Sequence, residues 1–288
     1  MAERRARSGL EEHTRSQSSR CRNDDLNAGP LERKSARLTL DMYSSLPREI
    51  RNRVYAYCTQ GPFDNEVIVR RTNMTSHQLN LLVRKRSNPQ AYHWVEDPFT
   101  SLLDGRNVET SSALEMVEAY FWTRTFKFDE RQLECLGMFL TSDLFQLQMI
   151  PAHYVRNLHI QIRPLLFAML NRVDDRRQKQ QKCCNALMAL ARVQTSHPKV
   201  AIIIDLAPGS IDPATYMRCI EDTDNFLSGI MRIIVKLKER GLRIELVVST
   251  EWDESHGTAL RIDPTDSIET CMEELRFVCK DDQPTAHL

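Results

Sequence analysis

Apolar and polar residues alternate in blocks along the second half of the chain. Short apolar runs over 155–163, 200–206 and 242–248 predict three strands. Longer stretches with helical spacing over about 164–195 and 213–240 separate these runs, and Gly241 marks the end of the second helix. Strands that alternate with helices predict a mainly parallel sheet with right-handed crossovers. The middle strand is almost entirely apolar, so we expect cover on both faces of the sheet.

The first half of the chain has a more mixed pattern. We expect a loop over 86–107, and a final amphipathic helix is expected far downstream, over 267–279. The other elements predicted in the first half are helices over 47–59, 77–85, 110–122 and 130–141 and strands over 66–70 and 125–128.

The helix predicted over 47–59 has a well-defined start and an apolar stripe. Pro47 suits the first helical position, and Glu49 lies in the first turn, where a carboxylate meets the positive end of the helix dipole. The spacing of Ile50, Val54 and Tyr57, with Cys58 beside them, predicts one apolar face. Polar residues cover the remaining surface: Arg48, Arg51, Asn52 and Arg53. An apolar face so near the start of the folded region must pack on the protein's own domain or on a partner.

Composition excludes several classes of function. Lys plus Arg and Asp plus Glu are 39 each, which gives no overall electrostatic preference for nucleic acid or membrane. The nine glycines are widely spaced, so the chain has no glycine-rich nucleotide-binding loop. Neither a secretory signal nor an apolar run of membrane-spanning length is found, which predicts an intracellular protein, cytoplasmic or nuclear. The eight cysteines lack metal-site spacing, so we expect reduced thiols, no metal and no cofactor.

Candidate catalytic groups lie near the predicted carboxyl ends of the parallel strands, where open α/β sheets bind ligands. Asp205 and Glu251 are a possible carboxylate pair for a metal or for acid–base chemistry. Polar residues are common at strand ends, and no second motif supports this pair. His159 is expected to be a strand residue rather than a base. Basic clusters at 70–71 and 84–86, with Tyr92 and Trp94 nearby, leave nucleic-acid contact as a minor alternative.

Three segments resemble one known family. The segment LPREIRNRVY at 46–55 is similar to the opening of the F-box-like domains of filamentous fungi, which begin with Leu-Pro-x-Glu-Ile/Leu-Arg-Asn-x-Ile/Val-Tyr. The segment EMVEAYFWTRTFKF at 115–128 resembles the family's Glu-containing helix, aromatic pair and Asn-x-Phe-x-Phe strand, with Thr125 in place of the Asn. The segment YVRNLHI at 154–160 resembles an Ile/Val-Arg-Asn-Leu strand. The resemblance covers about residues 43–162.

The resemblance implies a non-enzymatic interaction protein that serves as a substrate adaptor of a ubiquitin ligase. In that role the first helix would dock on a Skp-type adaptor through Leu46, Pro47, Ile50, Val54 and Tyr57. A strand at 66–70 departs from a true F-box, which continues with two more helices, so a competing hypothesis buries the helix in the protein's own core. An α/β enzyme with an acidic site at strand ends is the third hypothesis.

The expected fold class is α/β, with an F-box-like helix and helical segment leading into a mixed, mainly parallel sheet covered by helices. The expected organisation is a disordered tail over 1–38, an F-box-like segment over 39–150, an α/β segment over 151–280 continuous with it, and a flexible end over 281–288.

Overall fold

The structure is a computed structural model, and the chain forms two compact units. The first consists of Met1–Cys58 and Pro98–Ala119, and the second of Thr59–Asp97 and Tyr120–Leu288. The residues that the structure describes are 41–60, 65–72, 78–88, 91–103, 108–164, 170, 172–195, 198–205, 213–249, 260–262 and 270. The tail over 1–38, the final helix over 267–279 apart from Thr270, and the end over 281–288 therefore lie outside the described residues.

Helices make up the described part of the first unit. A short helical turn over 41–45 precedes α1 (Arg48–Gln60), and α2 (Pro98–Leu102) precedes α3 (Thr110–Thr123). The last residues of α1 and of α3 belong to the second unit. The predicted helices over 47–59 and 110–122 are confirmed within a residue at each end.

One eight-stranded sheet organises the second unit, with strand order β3-β2-β1-β4-β5-β6-β7-β8. Strands β1, β4, β5, β6 and β7 are parallel to one another, whereas β2, β3 and β8 pair antiparallel with their neighbours. The sheet continues across residue 150, and the predicted α/β class with a mixed, mainly parallel sheet is confirmed. The strands are β1 (Glu66–Arg71), β2 (Leu79–Asn88), β3 (Ala91–Glu96), β4 (Thr125–Phe128), β5 (Asn157–Ile162), β6 (Lys199–Asp205), β7 (Arg243–Ser249) and β8 (Leu260–Ile262).

Three helices connect the parallel strands: α4 (Cys135–Thr141), α5 (Val173–Met188) and α6 (Pro213–Glu239). Short 3-10 turns lie at Pro151–His153 and Ala189–Arg192. Helix α6 ends where predicted, because Gly241 adopts a positive φ of 88° and the Leu242 N–H then donates to the Leu237 carbonyl. None of the described helices has the combination of length and apolar character that a bilayer crossing needs.

The two faces of the sheet differ in burial. Alternate residues of β5 are buried and half-buried, and the same alternation extends to β4 and β6. The buried face packs against α4, whose Phe139 ring lies 4.9 Å from the Phe126 ring. A buried row across this face contains Phe126, Leu158, Val200 and Ile244, and the next row on the opposite face contains Lys127, His159, Ala201 and Glu245, all half-buried.

The face that carries Lys127, His159 and Ala201 is therefore less deeply buried than the face against α4. Strands β4 to β7 advance in one direction across the sheet. Right-handed crossovers that advance in one direction place their helices on the same face.

The helix predicted over 77–85 is also wrong, because these residues belong to β2. Leu79, Leu81 and Val83 alternate with period two, and β2 is hydrogen-bonded to β1 on one side and β3 on the other. The predicted loop over 86–107 contains β3 and α2. Cross-strand pairing decided these assignments, since a short apolar stretch is ambiguous between helix and strand.

Candidate functional site

Arg51 anchors helix α1 within the first unit. Its guanidinium donates from two nitrogens to the two Glu115 carboxylate oxygens, each at 2.8 Å. A third nitrogen donates to the main-chain carbonyls of Tyr43 at 2.9 Å and Leu46 at 2.6 Å. The guanidinium carbon also lies 4.5 Å from the centroid of the Tyr43 ring. One planar side chain thus holds α1 to helix α3 and to the turn that precedes α1.

Both partners of this pair are largely shielded from solvent, with 12% of each side chain exposed. The hydrogen bonds from Arg51 keep the pKa of Glu115 below its usual value, and those bonds in turn raise the pKa of Arg51. Both groups are therefore charged near neutral pH. A second, more exposed pair joins the same two helices, since Arg48 lies 2.7 Å from Glu118.

Tyr55 is the residue that α1 buries most completely in the first unit. It lies one helical turn after Arg51 and is 1% exposed. Burial raises the pKa of its hydroxyl, which lies close to Ser112 and Glu115 of helix α3. The inward face of α1 is therefore formed by Arg51 and Tyr55.

The opposite face of α1 carries the largest exposed apolar side chains of this helix. Tyr57 is 81% exposed and Ile50 is 42% exposed. Each residue of a helix turns by about 100°, so positions 50 and 57 lie on the side away from 51 and 55. Arg53 and Cys58 are exposed as well. Two residues of the predicted apolar stripe, Ile50 and Tyr57, therefore lie on the outward face of α1.

The other predicted partner-binding residues differ in exposure. Pro47 is exposed, whereas Leu46 and Val54 are half-buried. Pro47 lies just before α1, and its carbonyl accepts the N–H groups of Ile50 and Arg51. The structure thus brings Pro47, Ile50 and Tyr57 to the protein surface, with Leu46 and Val54 between that surface and the interior.

Two residues of this site were assigned wrongly or missed from the sequence. Arg51 was expected among the polar residues that cover the outside, yet it makes the central inward contact. Tyr55 was not assigned to any face. The sequence contained one hint of this contact. The family-like segment at 46–55 contains Arg51 and the one at 115–128 contains Glu115, so an Arg and a Glu were available to pair between the two segments.

Of the carboxylate pair in the enzyme hypothesis, Glu251 lies outside the described residues. The side chain of Asp205, the last residue of β6, is not described either. Arg163, which follows β5, is ion-paired with Glu130 at 2.6 Å. Within the described ranges, no group of three or more His, Cys, Asp or Glu side chains has the geometry of a metal site.

Two further side chains could act as a base or as a nucleophile, His159 and Cys135. His159 is a half-buried strand residue, as expected, and its Nδ1 lies 2.9 Å from a Glu66 carboxylate oxygen. This hydrogen bond lowers the pKa of Glu66. Burial raises the pKa of Cys135, so its thiol is a weak nucleophile.

The two basic clusters lie at the end of β1 and in the second half of β2. Arg84 faces Trp94 across β2 and β3, and Trp94 is 41% exposed. Arg70 pairs in register with Asn80, on the β1 side of β2. The two clusters therefore lie on different strands, and the aromatic residues accompany only the second.

No protein-family model, curated protein or solved structure matches this chain significantly. The resemblance to fungal F-box-like domains accordingly rests on the three segments at 46–55, 115–128 and 154–160.

Proposed function

We propose that this protein is a non-enzymatic, F-box-like interaction module whose helix α1 docks on a Skp-type adaptor. In this proposal the sheet-containing unit holds a substrate for a ubiquitin ligase. The observation that carries the proposal is the orientation of α1: polar and aromatic contacts from Arg51 and Tyr55 hold it, while Ile50 and Tyr57 remain exposed.

The anchoring of α1 supports docking because it leaves an apolar face unused. A surface helix ordinarily turns its apolar side toward its own core. Here the inward contacts to helix α3 are a bidentate ion pair and one buried tyrosine. The spacing of positions 50, 54 and 57 matches the anchors that a helix inserts into a partner's groove.

The exposed fractions indicate which anchor contributes most. Complete burial of a large apolar side chain contributes about 1.5–3 kcal/mol relative to exposure. Tyr57 is 81% exposed and would gain most of that on docking, whereas Ile50 at 42% would gain less than half. Tyr57 is therefore the principal anchor of the proposed interface.

The test is binding of the purified full chain to a fungal Skp-type adaptor by titration calorimetry. Tyr57→Asp is expected to weaken binding by roughly 10- to 30-fold, which corresponds to about 1.4–2 kcal/mol. Ile50→Asp should weaken it less. Val173→Asp is the matched control, because Val173 is 49% exposed on α5 and receives the same substitution away from the proposed interface. An adaptor that fails to bind the natural sequence, or an equal loss with the control, contradicts the proposal.

A second candidate function is a structural or interaction domain in which α1 serves only the protein's own core. Burial of Tyr55 and half-burial of Val54 favour it. Under this alternative Val54→Asp unfolds the protein, while under docking it abolishes adaptor binding with a small change in melting temperature. A thermal melt of that variant, measured beside its adaptor titration, separates the two.

A further inference from the structure

Strand β3 forms one outer edge of the sheet. Among the described strands it pairs only with β2. The strand at the other edge, β8, has three residues, whereas β3 has six. Proteins ordinarily protect a long edge strand with Pro, Lys or a bulge, because its outward main-chain groups can pair with another chain. The sequence of β3, AYHWVE, contains neither Pro nor Lys, and the register shift of the β2–β3 pair lies at the hairpin end, between Arg86 and Asn88.

Alternate residues of β3 direct their main-chain groups away from β2. In an antiparallel pair, a residue directs its N–H and its C=O to the same side, and successive residues alternate between the two sides. The Asp97 N–H donates to the Leu81 carbonyl at 2.8 Å, so Asp97 faces β2. Val95, two residues earlier, faces β2 in the same way. Trp94 and Glu96 therefore direct their N–H and C=O groups outward, where an added strand would meet them.

The side chains at this edge are accessible on both faces of the sheet. Trp94 is 41% exposed, and His93 and Glu96 are exposed as well. Trp94 pairs in register with Arg84, and His93 pairs with Lys85. Consecutive residues of a strand point to opposite faces, so each face of this edge has a basic residue one strand away from the outer rim.

The hairpin of β2 and β3 is basic, although the whole chain has a net charge of zero. The charged residues of the hairpin are Arg84, Lys85, Arg86 and Glu96, which gives a net charge of +2. Two neighbouring carboxylates already have partners. Asp97 is buried and accepts the Tyr120 hydroxyl at 2.7 Å, and Glu66 is hydrogen-bonded to His159 at 2.9 Å. The edge is therefore electrostatically complementary to an acidic partner.

We propose that the outer edge of β3 binds an extended acidic segment of a partner protein as an added strand. The outward main-chain groups of Trp94 and Glu96 supply ladder hydrogen bonds, and the basic residues of β2 favour carboxylates on either face of the added strand. A peptide fits this edge better than DNA does, because a sugar–phosphate backbone has no N–H groups for the outward carbonyls. That the partner is a ubiquitin-ligase substrate rests on the proposed function, whereas the binding itself requires neither helix α1 nor the adaptor.

The experiment is a calorimetric titration of the full chain with an eight-residue peptide of alternating Val and Glu. The comparison compounds are the same peptide with Lys in place of Glu and an oligothymidylate of equal negative charge. Saturable binding of the Glu peptide is expected, tighter than that of either comparison compound and weakened by added salt. Absence of saturable binding by the Glu peptide, or a comparison compound that binds as tightly, overturns the proposal.

Two variants at one position test the main-chain contact. Trp94→Ala and Trp94→Pro both remove the indole, but only Pro removes the outward N–H, and Pro is tolerated where the N–H of an edge strand faces solvent. Trp94→Pro should weaken peptide binding by about threefold or more relative to Trp94→Ala, as loss of one hydrogen bond does. Glu96→Pro, compared with Glu96→Ala, repeats the test at the second outward position if Trp94→Pro does not fold. Equal binding within the folded pair overturns the added strand.

A charge reversal and two controls complete the test. Lys85→Glu should weaken binding of the Glu peptide by about threefold or more, whereas Lys236→Glu, at an exposed position of α6, should leave it unaltered. An equal effect of the two reversals overturns the charge selection. The Trp94 variants should leave the adaptor titration unchanged, so loss of peptide binding and loss of adaptor binding are separate results. A dimer that Trp94→Pro dissociates, in a protein that binds no peptide, would assign the edge to a second copy and overturn the proposal.

Discussion

Two tyrosines of helix α1 test which face of this helix is anchored. Tyr55 is 1% exposed and Tyr57 is 81% exposed, although only one residue separates them. The predicted perturbations are Tyr55→Ala and Tyr57→Ala, made singly. Both remove the same side chain from the same helix, so their helix propensities and sizes cancel in the comparison.

The exposed fractions set the expected magnitudes. Replacing a buried aromatic side chain with alanine ordinarily costs about 3–5 kcal/mol, because transfer energy and packing are both lost. Surface substitutions usually change stability by less than about 0.5 kcal/mol. Tyr55→Ala should therefore destabilise the protein by at least about 2.5 kcal/mol more than Tyr57→Ala does.

Urea unfolding followed by far-ultraviolet circular dichroism measures this difference. Because the chain contains two compact units, the midpoint of each resolved transition is compared between variants rather than one overall value. Tyr55→Phe is the control, since it removes only the hydroxyl group and should behave much more like the natural protein. Equal destabilisation by the two alanine variants, or greater destabilisation by Tyr57→Ala, would refute the orientation of α1 and with it the docking proposal.

Three further predictions concern charge, a buried hydrogen bond and a helix end. The pKa of Glu115 is lowered in the folded protein, so its contribution to the free energy of unfolding is present above pH 4.5 and is lost as the pH falls from 4.5 through the lowered pKa. In Glu115→Gln, the free energy of unfolding measured with urea should therefore decrease less at acidic pH than in the natural protein. Tyr120→Phe should cost about 1.5–3 kcal/mol, because the Tyr120 hydroxyl donates to the buried Asp97 carboxylate at 2.7 Å. Burial raises the pKa of Tyr120 well above 10, so the free energy of unfolding should also fall as the pH rises above 10. In a base titration, the free energy of unfolding of Tyr120→Phe should fall less than that of the natural protein. Gly241→Ala should cost about 1–2 kcal/mol in a thermal melt, because φ is 88° there; an unchanged melting temperature would contradict the strain.

The parallel part of the sheet was predictable because its pattern is local and strong. The apolar runs over 155–163, 200–206 and 242–248 became β5, β6 and β7, and the long periodic segment between the last two became α6. Strand β2 was missed, because the apolar residues between 79 and 83 were too few to distinguish period two from a helical period. The positions of its neighbours β1 and β3 decided its conformation.

The candidate site was only partly predictable for a related reason. Spacing within a single helix predicts that Ile50 and Tyr57 share an apolar face, but not that this face is exposed. Its anchor does not follow from spacing either, since Arg51 binds Glu115 across 64 residues of sequence.

The sequence by itself determined the α/β class, the alternating order of the parallel strands and helices in the second half of the chain, and the presence of an apolar stripe on α1. These properties depend on the order of residues over one or two turns or a single strand, where local geometry fixes which side chains share a face. The tertiary structure alone decided that α1 turns Arg51 and Tyr55 inward, and that one sheet face is fully buried while the other is half-buried. Those outcomes depend on contacts between segments that are distant in sequence. A local sequence pattern does not contain the free energies of such contacts.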